Sequence, residues 1–391
     1  MNPPTNVEGA VSVRLSVADN AVNRAEVAVR RPIAVARALI GRRPEEAARV
    51  IPLLYSLCGT AQGLAAAQAC EAALGLDASG HAVARGLTLD AECADAHGWQ
   101  AAMEWPRLLG ERPDPHGLLA LRDALPTVPE SLYPAGDALR PGGGDLQPNG
   151  TALGHALDRV ADWVATQVFA GSPPADAGEL AEWAARGATV AARLTARLLA
   201  PDLALHGAVG VSALTERAPS WFAERLAADP GFSSRPHNNG FPAHTGPLAR
   251  RADHPLVASV QAAHGVGVIA LMAARLADMA ELPRRMAAAI RQIGQPLALP
   301  PTEAVPQPPG VGCGVVETAR GTLAHWLRLG ADGRIADYRT VAPTEWNFAP
   351  DGPLARGLIG LPAGPDVVER AGLLVALLDP CVACAITVAE G

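Results

Sequence analysis

Hydrophobic and polar positions change period along this chain, and each change marks an element. Val11, Val13, Leu15 and Val17 alternate with polar or small residues, the pattern of a half-buried strand. Asp19-Asn20 supplies a turn, so Val22 to Val29 is predicted to return as the second arm of a hairpin. From Arg31 the pattern becomes helical. Pro44, Glu45 and Glu46 open a helix with residue types suited to its positive end, and Val50, Ile51, Leu54 and Leu57 form its apolar face. Gly59 can end that helix and Thr60 can cap the next, from Ala61 to about Leu74, which is apolar nearly all round and therefore central. Helical periodicity persists through Trp99 to Leu109.

Pro, Gly and Asp then thicken over residues 135–150 around Gly142-Gly143-Gly144. This is a surface loop rather than a phosphate cradle, because no strand precedes it and no Lys follows. Amphipathic helices are predicted near 152–170 and 176–199. The turn-rich stretch from Pro230 to His254 holds His237, His244 and His254, spaced too loosely for a zinc signature. Leu256, Val260, His264, Val268 and Leu271 share one face of a single long helix reaching about Leu282, with His264 read as a core histidine. Pro-rich residues 295–310 form a linker. Leu323–Leu329 and Arg334–Val341 flank Ala331-Asp332-Gly333 as a second hairpin, which Pro343 to Asn347 closes. A last helix from about Pro365 leads into an apolar terminus. No repeat is evident, and the fold class is α+β, predominantly helical, with small β-hairpins near both ends.

Composition narrows the function more than the fold. The 391 residues are 49% hydrophobic and 18% charged, enough to bury a core and inconsistent with wholesale disorder. A net charge of -7 gives no footprint for nucleic acid. Every basic residue is Arg, which excludes Schiff-base and lysine general-base chemistry. Six Cys are too few for a disulfide scaffold of this length, and the N-terminus shows no secretory signal. Asp379-Pro380 interrupts the apolar run 371–389, so it reads as core rather than a membrane span. A soluble, cytoplasmic protein with reduced thiols is expected.

The chemistry gathers at the thiols. Asp379-Pro380-Cys381-Val382-Ala383-Cys384 ends an apolar stretch, so both thiols are expected inside the protein, where a CxxC spacing lets two sulfurs face one soft metal ion. Cys58 lies in a tight turn at a helix N-terminus, where the dipole is expected to lower its pKa. The plain alternative for all three is core packing. A thioredoxin-like redox role finds no βαβ pattern around Cys381 and Cys384.

Several segments, in order, resemble the catalytic large subunit of nickel–iron hydrogenases. They are Val7-Glu8-Gly9-Ala10, Arg31-Pro32 through Leu57-Cys58-Gly59, Thr245-Gly246-Pro247-Leu248-Ala249-Arg250, Glu317-Thr318-Ala319-Arg320-Gly321, Pro343-Thr344-Glu345-Trp346-Asn347 and the terminal Cys pair. The resemblance implies one large-subunit-like domain over 1–391, divergent and compact over 110–240. It also implies two Cys pairs that hold the metals, yet Ala61 stands where the fourth Cys belongs. Ala10, Ala65 and Thr387 stand where the family has His. The sequence ends four residues after Thr387, so no cleavable extension is expected. A four-thiolate nickel site cannot form from these positions.

The pattern is similar to the HupK/HoxV type of hydrogenase maturation protein. That resemblance implies a non-enzymatic scaffold on which Cys381 and Cys384 transiently hold iron carrying cyanide and carbonyl ligands, with Cys58 assisting or mediating transfer and nickel not expected. Arg320 and Thr344 match positions that contact the diatomic ligands, and Glu8 is a candidate acidic, proton-carrying position. The implied partners are HypC/HypD-like proteins of iron-fragment assembly and the hydrogenase large subunit, without nucleic acid or membrane insertion. Two alternatives stay open. One is a divergent nickel-binding hydrogenase subunit using Glu8 or Cys70 as fourth ligand, and the other a metal-free structural partner of maturation proteins.

Overall fold

The computed structural model describes residues 9–30, 38–55, 57–203, 206–207, 210–215, 217–293 and 308–389. Glu8, the helical pattern from Arg31 and most of the 295–310 linker lie outside the described residues.

The first hairpin forms as its alternation predicts. β1 (Ala10–Ala18) pairs antiparallel with β2 (Ala21–Arg30), burying Val11, Val13 and Leu15. Asp19 and Asn20 turn the chain at φ 51° and 59°, a left-handed conformation these two residue types tolerate. Helices follow: α1 (Pro44–Val50), α2 (Gly59–Leu74), α3 (Ala82–Trp99), α4 (Trp105–Leu108), α5 (Pro115–Arg122), α6 (Thr127–Leu132), α7 (Gly150–Trp163), α8 (Ala177–Arg186) and α9 (Val190–Leu198). The stretch read as one helix over 176–199 is broken between α8 and α9, where Gly187 adopts φ 62°. A two-residue parallel pair, β3 (Ser212–Ala213) with β4 (Ala243–His244), brackets α10 (Pro219–Ala228).

After α11 (Pro247–Arg250), the single long helix expected from Leu256 is two. These are α12 (Pro255–His264) and α13 (Val268–Gln292), separated at Gly265 with φ 74°. His264 ends α12 half-exposed rather than in the core. The second hairpin, β6 (Gly321–Leu329) with β7 (Ile335–Val341), carries a third strand that the sequence pattern missed, β5 (Val311–Thr318). Gly312 and Gly314 weaken its strand signal, and their role is contact. A Cβ on Gly314 would lie 2.1 Å from the Ala65 carbonyl oxygen, and one on Gly312 1.9 Å from that of Ala69. The Ala-rich α2 thus lies backbone against backbone on β5, which fixes Cys58 at its head.

The chain closes with α14 (Pro343–Asn347), α15 (Pro353–Leu358), α16 (Val367–Leu378) and β8 (Cys384–Val388). β8 runs parallel to β1, with Cys384 opposite Val11, so the two ends of the chain share one sheet of order β2-β1-β8. One hydrophobic cluster extends from Val11 to Val382. Among the described residues no helix is long and apolar enough to cross a membrane.

Candidate functional site

The site starts where α16 stops. Asp379 takes a left-handed conformation at φ 55°, and Pro380 cannot continue the helix, so the chain leaves the helix axis before Cys381. The buried Asp379 carboxylate accepts from Gln100 Nε2 at 2.7 Å and from Arg275 Nη1 at 3.1 Å. Arg275 also donates to the Leu377 carbonyl at 3.1 Å, satisfying a group the helix end leaves open. Arg320 Nε stands 3.3 Å from Asp379 Oδ2 but is buried without an aligned hydrogen bond. One carboxylate therefore faces two buried guanidinium groups, and Arg320 keeps a donor in need of an acceptor.

The turn that presents Arg320 is locked by the motifs singled out in the sequence. Thr318 Oγ1 accepts the Arg320 N–H at 3.1 Å, and Thr245 Oγ1 accepts that of Thr322 at 2.9 Å. The Asn347 side chain pairs with both backbone groups of Thr245 at 3.0 Å. A Cβ on Gly246 would lie 2.8 Å from the Arg320 carbonyl oxygen, so only glycine fits against the turn. Thr344, fully buried in α14, accepts the Cys381 N–H on Oγ1 at 3.4 Å.

Cys58 reaches the same place from the other end of the chain. The neighbouring Cys381 side chain and burial push the Cys58 pKa well above the thiol range, although Arg320 pulls the other way. The lowering expected from the helix dipole is therefore overturned. The first N–H groups of α2 are taken by the Glu92 carboxylate instead, that of Thr60 at 2.6 Å and that of Ala61 at 3.1 Å. Burial raises Glu92 to about 7 against those bonds. Behind Cys58, Gln62 Nε2 donates to its sulfur at 3.6 Å. Gln62 Oε1 lies 2.8 Å from His325 Nε2, and His325 Nδ1 lies 2.7 Å from the Tyr338 hydroxyl. Burial lowers His325 to about 3, so the ring is neutral. With the proton on Nε2, it donates to Gln62 and accepts from Tyr338.

Of the residues proposed from sequence, Cys58, Cys381, Arg320 and Thr344 come together. Cys384 is half-buried at the start of β8, where burial raises it to about 11, and it completes no three-residue metal-holding group with them. The expectation that both terminal thiols lie inside is corrected in the same way. The apolar helix ends before Pro380, Cys381 falls in the bend that follows and Cys384 opens an edge strand with no fully buried position, so both are half-exposed. Among the described residues no group of three or more His, Cys, Asp and Glu side chains is placed to hold a metal ion. Cys70 donates to the Pro44 carbonyl at 3.3 Å in a separate cluster, about 18 Å along the α2 axis from Cys58, too far to share an ion with it. Glu92, Gln62 and His325 had no sequence signal except one: Gln62 sits four positions after Cys58, where helical spacing returns a side chain to the same face.

The family model described as nickel-dependent hydrogenase matches residues 259–387. Over 387 residues the chain is 30% identical to the hydrogenase expression/formation protein HupK of Rhizobium leguminosarum bv. viciae, covering 98% of this chain and 97% of that protein. It is 30% identical over 376 residues to the hydrogenase expression/formation protein HoxV of Cupriavidus necator, covering 93% of each. The fold matches the nickel–iron–selenium hydrogenase of D. vulgaris Hildenborough with a TM-score of 0.68 at 16% identity, over 93% of this chain and 94% of that one. The α+β, large-subunit-like fold expected from the motifs is the fold observed.

Proposed function

The chain belongs to the family of HupK/HoxV-type hydrogenase expression/formation proteins, and we propose that it acts in hydrogenase formation as a scaffold for an iron fragment carrying cyanide and carbonyl ligands. The observation that carries this is the meeting of Cys58 and Cys381 beside Arg320. Two thiolates on a ferrous dicyanide–carbonyl unit make a dianionic assembly, and the guanidinium left over from Asp379 offsets part of that charge. A cyanide nitrogen is the acceptor that the buried Arg320 Nε lacks, in a charge-assisted contact. Thr344, one bond from Cys381, lines the same wall.

Cys58 and Cys381 are the resting pair in this proposal, and Cys384 joins or releases the cargo from its exposed strand. The methyl group of Ala61, buried against the core, offers no bridging sulfur, which favours transit over retention of nickel. The chain is then an accessory factor rather than an enzyme, receiving the fragment from HypC/HypD-like proteins and passing it to a hydrogenase large subunit in the reducing cytoplasm. In a strain lacking this gene, Cys58→Ala and Cys381→Ala are expected to leave the hydrogenase without its metal site and inactive. Full hydrogenase maturation by the double variant would instead indicate a metal-free structural role. One nickel per chain, with hydrogen uptake by the purified protein, would make it a divergent hydrogenase subunit.

A further inference from the structure

We propose that the face around Phe241 is a docking surface for a partner protein that presents a carboxylate beside an apolar hollow. Asn239 and Gly240 take φ 53° and 84°, the two left-handed residues of a tight turn, and Asn238 and Phe241 exchange backbone hydrogen bonds at 2.7 and 3.1 Å. His237 Nδ1 accepts the Gly240 N–H at 3.0 Å, and its ring packs edge-on against the buried Phe232. Phe241 stands on this turn 73% exposed. A lone apolar side chain at the surface is ordinary, but this ring is carried on a turn tied down from several sides. Two guanidinium groups do part of the tying. Arg225 Nη2 donates to Asn239 Oδ1 at 3.3 Å and Arg217 Nη2 to Asn238 Oδ1 at 3.4 Å.

Both arginines lie over one indole ring, Arg225 at 3.8 Å and Arg217 at 5.4 Å from the centre of Trp221. Among the described residues neither is ion-paired. Their acceptors are the two Asn amides and the Trp221 carbonyl, and Arg217 Nε is buried with no acceptor at all. Arg85 and Arg370, by contrast, pair with Glu71 and Asp366. A guanidinium laid on an aromatic face is preorganised to take a carboxylate, so the charge that complements this face is negative. The occupant is a different protein. A two-fold contact centred on Phe241 would set these guanidinium groups against their own copies, and a free anion would leave the ring uncovered. The face belongs to the same body as the thiol site: Trp221 stacks with Trp346 at 6.4 Å and 28°, and Trp346 shares α14 with Thr344, which accepts the Cys381 N–H. Resting on the scaffold function proposed above, the partner seated here is one that loads or unloads that site.

The test measures, by calorimetry, binding of the full-length chain to the purified hydrogenase large-subunit precursor and, separately, to the HypC/HypD-like proteins. At least one is expected to bind. Phe241→Ser and Arg225→Ala should each weaken that binding about tenfold or more, and Phe241→Leu should keep most of it. Raising salt from about 0.1 to about 0.5 M should weaken the native protein more than the Arg217→Ala/Arg225→Ala double variant. Phe241 is exposed, so Phe241→Ser stays folded and its result is decisive even where an arginine variant is not. Unchanged binding by Phe241→Ser, or no binding of either protein to the native chain, would overturn the proposal. So would self-association or RNA binding that Phe241→Ser abolishes. Cyanide and carbonyl bands on a chain whose partners ignore Phe241→Ser would remove the docking surface and leave the scaffold function standing. A partner held through Phe241 on a chain without those bands would do the reverse.

Discussion

Asp379 is the residue on which the local electrostatics turn. It accepts from Arg275 and Gln100 and stands within ion-pair distance of Arg320, all nearly without solvent. Removing one partner of such a buried cluster leaves uncompensated charge, so Asp379→Ala should cost about 3–5 kcal/mol in urea denaturation at neutral pH. A change below about 1 kcal/mol would mean the guanidinium groups find other partners. Glu92 makes a pH prediction. Its folded pKa of about 7 lies above the ordinary glutamate value of 4.5, so the folded state holds an extra proton between them. The associated stability is complete below about 4.5 and is lost as pH rises through about 7. Over that window the unfolding free energy should fall by at most about 3 kcal/mol, less for solvent at the half-buried carboxylate, and Glu92→Gln should flatten the slope. Parallel pH profiles for both proteins would refute it. Cys58, Cys381, Arg320 and Thr344 were legible because each sits in a short motif. Glu92, Gln62 and His325 were not, since separate elements bring them to the thiol and their local patterns are ordinary helix and strand.

At the scale of elements, the contact of α2 with β5 sets the position of Cys58. It needs glycine: at Gly314 an added Cβ meets backbone, which cannot swing aside. Gly314→Ala should therefore destabilise by about 1–3 kcal/mol or more through overpacking and shift Cys58 relative to Cys381. Gly372→Ala is the control, because a Cβ there meets nothing within 4 Å on helix α16. It should be neutral or raise the melting temperature. Equal melting temperatures for the two variants would show that the close approach is unimportant. The hairpins were legible from alternation and turn residues, whereas β5 was not. The glycines that admit α2 are the residues that erase a strand signal. Gly265 and Gly187 broke helices that apolar periodicity alone would have continued, because a left-handed residue redirects the axis without interrupting the stripe.

Over the whole molecule, the site exists only once the chain has closed on itself. Cys58 comes from the head of α2 and Cys381 from the turn after α16, while β1 and β8 join the two ends in one sheet. The pairing of β8 with β1 could not be read locally, since parallel strands so distant in sequence leave no turn signature. The fold class was legible from periodicity, and the family from motifs spread across the chain. The different settings of the three thiols were not, because they depend on where the turn after α16 and the start of β8 place Cys381 and Cys384. The most direct test is infrared spectroscopy of the protein co-expressed with the iron-fragment assembly factors and purified anaerobically. Cyanide and carbonyl stretching bands are expected, lost in Cys381→Ala and Cys58→Ala and shifted in their cyanide components in Arg320→Leu. Absence of the bands from the native protein, or their persistence unchanged in both Cys variants, would contradict the scaffold role.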